Sequence, residues 1–234
     1  MKQPAPGNQR RALVLGATGA VGANIVKALQ QSSSYAAVTT LGRRPNPDLD
    51  SASGKITQHV VDIFDSHAYA PLLAGHTHAF CAFGIGQPSK SHPDEFQRVD
   101  IDAVLHFAAA CHAQGVSHFS VMTSVGADPK SSIRYLKLKG KLERDIAAMG
   151  FPRTSIFRPS MLITPNNRYG VMQGILLKVM PILDPLLLGP WKRYRSITVS
   201  ELGKAMVANA ETVGLGVEIL EWGDFKRTKG IGQA

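Results

Sequence analysis

Arg11-Ala-Leu-Val-Leu-Gly16-Ala-Thr-Gly19-Ala-Val-Gly22-Ala-Asn-Ile-Val-Lys-Ala-Leu29 is the stretch that decides the fold. Leu13, Val14 and Leu15 form the continuous apolar run of a strand covered on both faces, and Val21, Ile25, Val26 and Leu29 recur at the helical period. Three glycines separate the two patterns, so the stretch reads as strand, tight turn, helix. Such a turn gathers unpaired backbone N–H groups and the positive end of a helix dipole at one point, and glycine lets an anion approach them. A dinucleotide pyrophosphate fits that description, with Gly16, Thr18, Gly19, Ala20, Val21 and Gly22 as its cradle.

The composition allows a large core: 234 residues, 44% of them hydrophobic, suit one α/β domain over 11–225 with polar tails at 1–10 and 226–234. Cys81 and Cys111 are too few for a disulfide framework, and the first ten residues lack the apolar run of a secretory signal. These features imply a reducing, cytoplasmic compartment. The greasiest region, 174–191, contains Lys178, Pro181, Asp184 and Pro185, so no membrane span is expected. The net charge of +9 is dispersed in short clusters with no nucleic-acid motif, which argues against a nucleic-acid partner.

Further strands follow in α/β order. Tyr35 to Leu41 supplies β-branched residues and ends at Gly42-Arg43-Arg44. A site for NAD places an acid about 20 residues beyond the glycines for the adenosine ribose, whereas arginine there neutralises a 2′-phosphate. With two arginines and no acid, the chain favours NADP(H) over NAD(H). Lys55 to Val61 is a third strand leading into Asp62-Ile63, with Asp65 as a helix cap or a second ligand candidate. His78 to Gly84 is a fourth, and the narrow backbone at Ala82-Phe83-Gly84 would let a ribose pack closely. Cys81 within it reads as a small core residue, because nothing adjacent stabilises a thiolate.

A helix is expected from Asp94 to Gln114, ended by Gly115. The strand at 118–124 brings Thr123 and Ser124 to a carboxyl end, where parallel α/β sheets bind ligands. On the helix from Tyr135 to Met149, Leu138, Leu142, Ile146 and Met149 form one stripe, while Tyr135 and Lys139, four apart, share another face. Thr154 to Arg158 is a sixth strand and 216–222 the last. Residues 166–191 carry apolar residues from Val171 to Met180 at helical spacing, which suit either a core or self-association helix or a substrate lid. The eight histidines are scattered, and no metal site is expected.

Taken together, Gly16-x-x-Gly19-x-x-Gly22, Leu41-Gly-Arg43-Arg44, Val60-Val-Asp62, Thr123-Ser124-x-Gly-Ala-Asp128, Tyr135-x-x-x-Lys139 and Phe157-Arg158-Pro159-Ser160 resemble the atypical short-chain dehydrogenase/reductases, most of all the Tat-interacting-protein-like subgroup. The resemblance covers nearly the whole chain. It implies a Rossmann-like, doubly wound parallel sheet with a small C-terminal substrate or lid region. It places Asp62 and Ile63 near the adenine, and Pro159, Ser160 and Leu162 near the nicotinamide. The expected activity is hydride transfer between NADP(H) and a small carbonyl or alcohol. Tyr135 would act as acid/base, Lys139 would favour its phenolate and bind the nicotinamide ribose, and Ser124 would hydrogen-bond the carbonyl. The alternative is a regulator whose NADPH occupancy controls a protein interaction, either as a homodimer or with another partner.

Overall fold

Alternation along the first strand sets the layers. In β1 (Arg10–Leu15) Ala12 and Val14 enter one buried cluster while Leu13 and Leu15 enter another, so both faces of the strand are covered. The computed structural model describes residues 10–49, 54–85, 92–164 and 184–227. Around β1, with β2 (Tyr35–Gly42), β3 (Ile56–Val60), β4 (His78–Cys81), β5 (His118–Met122), β6 (Arg153–Phe157) and β9 (Gly216–Leu220), runs a seven-stranded parallel sheet of order β3-β2-β1-β4-β5-β6-β9. This is a Rossmann-like α/β fold. The order reverses between β1 and β4, and the crevice above such a reversal is where open α/β sheets take ligands.

Helix α1 (Ala20–Gln31) buries Val21, Ile25, Val26 and Leu29 on one face of the sheet beside α6 (Val199–Glu211). Each such aliphatic side chain contributes about 1.5–3 kcal/mol when fully buried. A capping box starts α6: the Thr198 hydroxyl accepts from the Glu201 N–H, and the Glu201 carboxylate accepts from the Thr198 N–H. On the other face lie α2 (Ser66–Tyr69), α4 (Ala103–Ala113) and α5 (Arg134–Ala147), which bury Tyr69, Phe107, Leu142 and Ile146. A two-stranded pair, β7 (Leu162–Ile163) with β8 (Ile197–Thr198), joins the sixth strand's exit to α6.

Two expectations change, and a third falls largely outside the described residues. The helix expected over 94–114 is α3 (Pro93–Phe96), a π-helical segment at Gln97–Asp102 and then α4, so it carries an extra residue in one turn. The last helix passes the expected domain end at 225: α7 (Trp222–Arg227) includes Lys226 and Arg227, and it packs Phe225 against Phe157 with ring centroids 5.8 Å apart. Residues 165–183, including the helical pattern at Val171–Met180, lie outside the described residues; 184–186 and 189–194 are 3₁₀ turns that expose Leu186, Leu188 and Trp191.

Candidate nucleotide site and the helix beside it

The turn after β1 is closed by backbone alone. Gly16 has φ of 94°, a left-handed value that favours glycine, and its carbonyl accepts from the Gly19 N–H at 2.9 Å. A Cβ on residue 22 would stand 2.0 Å from that same carbonyl oxygen, and one on residue 16 would meet the Ala82 carbonyl at 2.7 Å. The spacing Gly-x-x-Gly-x-x-Gly therefore lets α1 start directly on the turn while β4 closes in from the other side. No side chain caps the α1 N-terminus, and its first turn carries no acid. Its N–H groups and dipole remain available to an anion. Buried Asn46 fixes the turn from outside, donating from Nδ2 to the Ala17 carbonyl at 2.9 Å.

Above this turn is a cavity of about 390 Å³ lined by Gly16, Thr18, Leu41, Gly42, Arg43, Arg44 and Phe83. Its lining holds two guanidinium groups and no carboxylate, and among the described residues neither arginine pairs with an acid. The donor set thus fits a phosphate-bearing nucleotide. Leu41 and Gly42, which precede the two arginines in the motif at the end of β2, also line the cavity, although neither was a candidate binding residue. Val21 points into the core, as does Ile63. The Asp62 carboxylate accepts from the Phe64 N–H, and Asp65 caps α2 through the His67 and Ala68 N–H groups, so Asp65 is the cap. Neither Asp62 nor Ile63 lines the cavity.

The second group of expected residues sits on β5, α5 and the exit of β6. Ser124 opens a turn in which the Ala127 N–H donates to the Ser124 carbonyl and the Asp128 N–H to the Leu136 carbonyl, which ties this turn to the start of α5. Tyr135, half-buried in that first turn, packs on Phe96 with ring centroids 5.6 Å apart. One turn on, Lys139 is buried, its ammonium 5.6 Å from the same Phe96 ring and 2.9 Å from Asp100 Oδ1. Pro159 accepts from the Val125 N–H at 2.9 Å, while Ser160 and Leu162 are half-buried beyond it.

Thr123 departs from expectation. Its hydroxyl, expected to face the ligand crevice, donates to Glu143 Oε1 at 2.5 Å inside the protein. Glu143 also takes both ends of the Arg158 guanidinium, which raises the Arg158 pKa through those hydrogen bonds. Gly84 also differs: a Cβ there would lie 2.7 Å from Asp100 Oδ1, so the space it leaves is filled by a carboxylate. From the sequence Phe96 is one apolar residue of the expected helix and Asp100 a solvated acid, because the π segment that turns the carboxylate inward has no signature in the sequence. Cys81 is a core residue, its thiol pushed up to about 12 by burial.

A glycine turn at the reversal point of a parallel sheet, opening on a cationic cavity, defines a Rossmann-type nucleotide-binding fold. The chain matches the model of the NAD(P)H-binding family over residues 16–176 and belongs to that family. It is 32% identical to protein HTATIP2 of Rattus norvegicus across 89% of this chain and 84% of that one. It is 36% identical to protein FMP52-1, mitochondrial, of Scheffersomyces stipitis across 74% and 76%. Among solved structures, MoeE5 in complex with UDP-glucuronic acid and NAD superposes with a TM-score of 0.69 at 20% identity, covering 90% of this chain and 75% of that one. That likeness shows a shared Rossmann-like fold. The expected cytoplasmic location is overturned, since several relatives are named as mitochondrial proteins. Two buried, unpaired cysteines indicate a thiol state and do not name a compartment. Among the described residues no helix is long and apolar enough to cross a membrane.

Proposed function

We propose that the protein is an NADP(H)-dependent oxidoreductase acting on a small carbonyl or alcohol. The observation that carries this reading is a continuous path from the cavity to α5. Phe83 lines the cavity, the Ile85 N–H two residues on donates to Asp100, Asp100 holds Lys139, and Tyr135 stands one helical turn from Lys139. The glycine turn would bind the pyrophosphate and Arg43 and Arg44 the 2′-phosphate. Lys139 would bind the nicotinamide ribose, with Ala82, Phe83, Gly84, Pro159, Ser160 and Leu162 around it. A bound nicotinamide supplies or accepts the hydride. Tyr135 would hold the proton at its phenolic oxygen, and Ser124 would orient the substrate oxygen.

The test is a panel of small aldehydes, ketones and alcohols with NADPH and NADH. Tyr135→Phe should abolish turnover while NADPH affinity persists. Replacing Arg43 and Arg44 together by Ala should weaken NADPH about 10–100-fold more than NADH, at the low end of charge-assisted hydrogen bonding because both side chains are exposed. Equal loss of both cofactors would remove the 2′-phosphate assignment. The rival reading, a regulator whose NADPH occupancy controls a partner, is favoured by the exposed Leu186, Leu188 and Trp191. It gains if no substrate turns over and a partner binds only with NADPH. The names of the fungal relatives make mitochondria the first location to test, by cell fractionation.

A further inference from the structure

The two edges of the sheet are built differently. At one end β3 presents Thr57, Gln58 and His59, and the Gln58 side chain is tied to the Asn46 backbone by hydrogen bonds of 2.8 and 3.1 Å. At the other end β9 reads Gly216-Val-Glu-Ile-Leu220 and follows Val213 and Leu215. Val213 is 99% exposed, Leu215 85%, Val217 51% and Ile219 50%. An edge strand is ordinarily blunted with lysine, proline or a bulge, because its free N–H and C=O groups are a template for pairing with another chain. Between Thr212 and Leu220 there is no lysine, arginine or proline, and the register of β9 on β6 runs without a break. The one charge in that stretch, Glu218, is held by Arg153 at 2.7 Å. In a chain of net charge +9 this is a place where two copies can meet without mutual repulsion.

Hydrogen bonding fixes which backbone groups of β9 are free. The Gly216 N–H donates to the Pro152 carbonyl at 2.8 Å, and the Leu220 carbonyl accepts from the Arg158 N–H at 2.9 Å. Alternate residues of a strand turn their N–H and C=O to the same side, so Gly216, Glu218 and Leu220 face β6 while Val217 and Ile219 direct theirs away from the sheet. Leu220 enters the core cluster of α1 and α6, so the Val217 and Ile219 side chains lie on the opposite face, half-exposed. Among the described residues β9 thus offers unpaired peptide groups beside a row of aliphatic side chains.

We propose that β9 is a homodimer interface, in which two copies pair β9 with β9 antiparallel about a two-fold axis at Val217 and so join their sheets into one. The strand is its own complement in this register. Val217 exchanges both hydrogen bonds with the partner's Val217, and Ile219 lies beside the partner's Leu215. Glu218 comes opposite the partner's Gly216, where a Cβ would stand in open space. Moving the axis one residue, to Glu218, would set two carboxylates directly opposite each other, which is destabilising. The contact is the same patch on both copies, so it closes at two and leaves no free edge at β9 to recruit a third.

The experiment measures the mass of the full chain by sedimentation equilibrium at about 100 μM, above the micromolar Kd of a small interface. The unaltered protein should show about twice the 25.2 kDa of one chain. Val217→Lys combined with Ile219→Lys, both outward-facing, should return the mass to one chain while circular dichroism and the urea midpoint stay unchanged. A second measurement adds a covalent probe. Val217→Cys should form an intermolecular disulfide under copper-catalysed air oxidation, because opposed residues of a hydrogen-bonded antiparallel pair stand about 5.5 Å apart at Cα. Val60→Cys, 61% exposed on the β3 edge, is the control. It should cross-link about 100-fold more slowly, since only association raises the local thiol concentration from the micromolar to the millimolar range. Cys81 and Cys111 are buried and do not compete. A single-chain mass at every concentration, a dimer that survives both lysines, or equal cross-linking at the two edges overturns the proposal. A foreign chain on this edge in place of a second copy gives the first of those results. Should the lysine variant fail to fold, the cross-linking comparison decides alone.

Discussion

Acidification should unfold this protein through two histidines that have no part in the site. His78 and His118 lie side by side at the amino ends of β4 and β5, ring centroids 5.3 Å apart, 9% and 3% exposed. Burial, reinforced by the Arg10 and Arg153 guanidinium groups, lowers His78 from 6.5 to about 4. Burial, Arg153 and His78 itself lower His118 to about 2. The unfolded chain therefore binds these protons first. Stability is complete above the ordinary histidine range and falls with pH, from about 6.5 down to 4 for His78 and on to 2 for His118. One pKa unit corresponds to about 1.4 kcal/mol, so at pH 5 each histidine has cost about 2 kcal/mol and the pair about 4. That is a large share of the 5–15 kcal/mol that is typical of a domain. Urea unfolding at pH 7, 6 and 5 and constant ionic strength measures the slope. The double variant His78→Phe, His118→Gln should lose about 4 kcal/mol less than the unaltered protein over that interval, whatever its stability at pH 7. Equal slopes in the two proteins would refute the reasoning, since they would mean that the rings are hydrated or protonated in the folded state.

Other outcomes follow from the site. Gly22→Ala must move its Cβ away from the Gly16 carbonyl 2.0 Å distant, so it should destabilise the fold by about 3–5 kcal/mol and abolish NADPH binding, as read by chemical unfolding and fluorescence titration. Glu143→Gln leaves Arg158 without its carboxylate and should cost about 3–5 kcal/mol in urea unfolding, while Thr123→Val, which removes a single hydroxyl from the same network, costs less. Cys81 and Cys111, both fully buried with thiols raised by burial, should react with a thiol reagent only as fast as the protein unfolds. Rapid labelling of the native protein would contradict their placement.

Local patterns were enough for the sheet and for the turn and arginines that line the cavity. The run Leu13–Leu15 followed by three glycines and a helical stripe can satisfy its backbone and bury its apolar residues in few ways, so β1, the turn and α1 stand where the sequence put them. The same holds for Arg43 and Arg44, whose distance from the glycines follows from one helix and one strand of ordinary length. The misjudged side chains are those whose direction depends on partners far away in the chain. Thr123 turns inward because Glu143 and Arg158 wait there, twenty and thirty-five positions on.

The sequence alone thus determined the fold class, the glycine turn that opens on the cationic cavity and the helix that carries Tyr135 and Lys139, because each follows from periodicity and chain geometry over short spans. Tertiary structure alone decided what Lys139 touches. A π segment, a missing side chain at Gly84 and a carboxylate 39 residues from the lysine meet in one buried contact, and no local signal encodes a meeting of parts that only packing brings together.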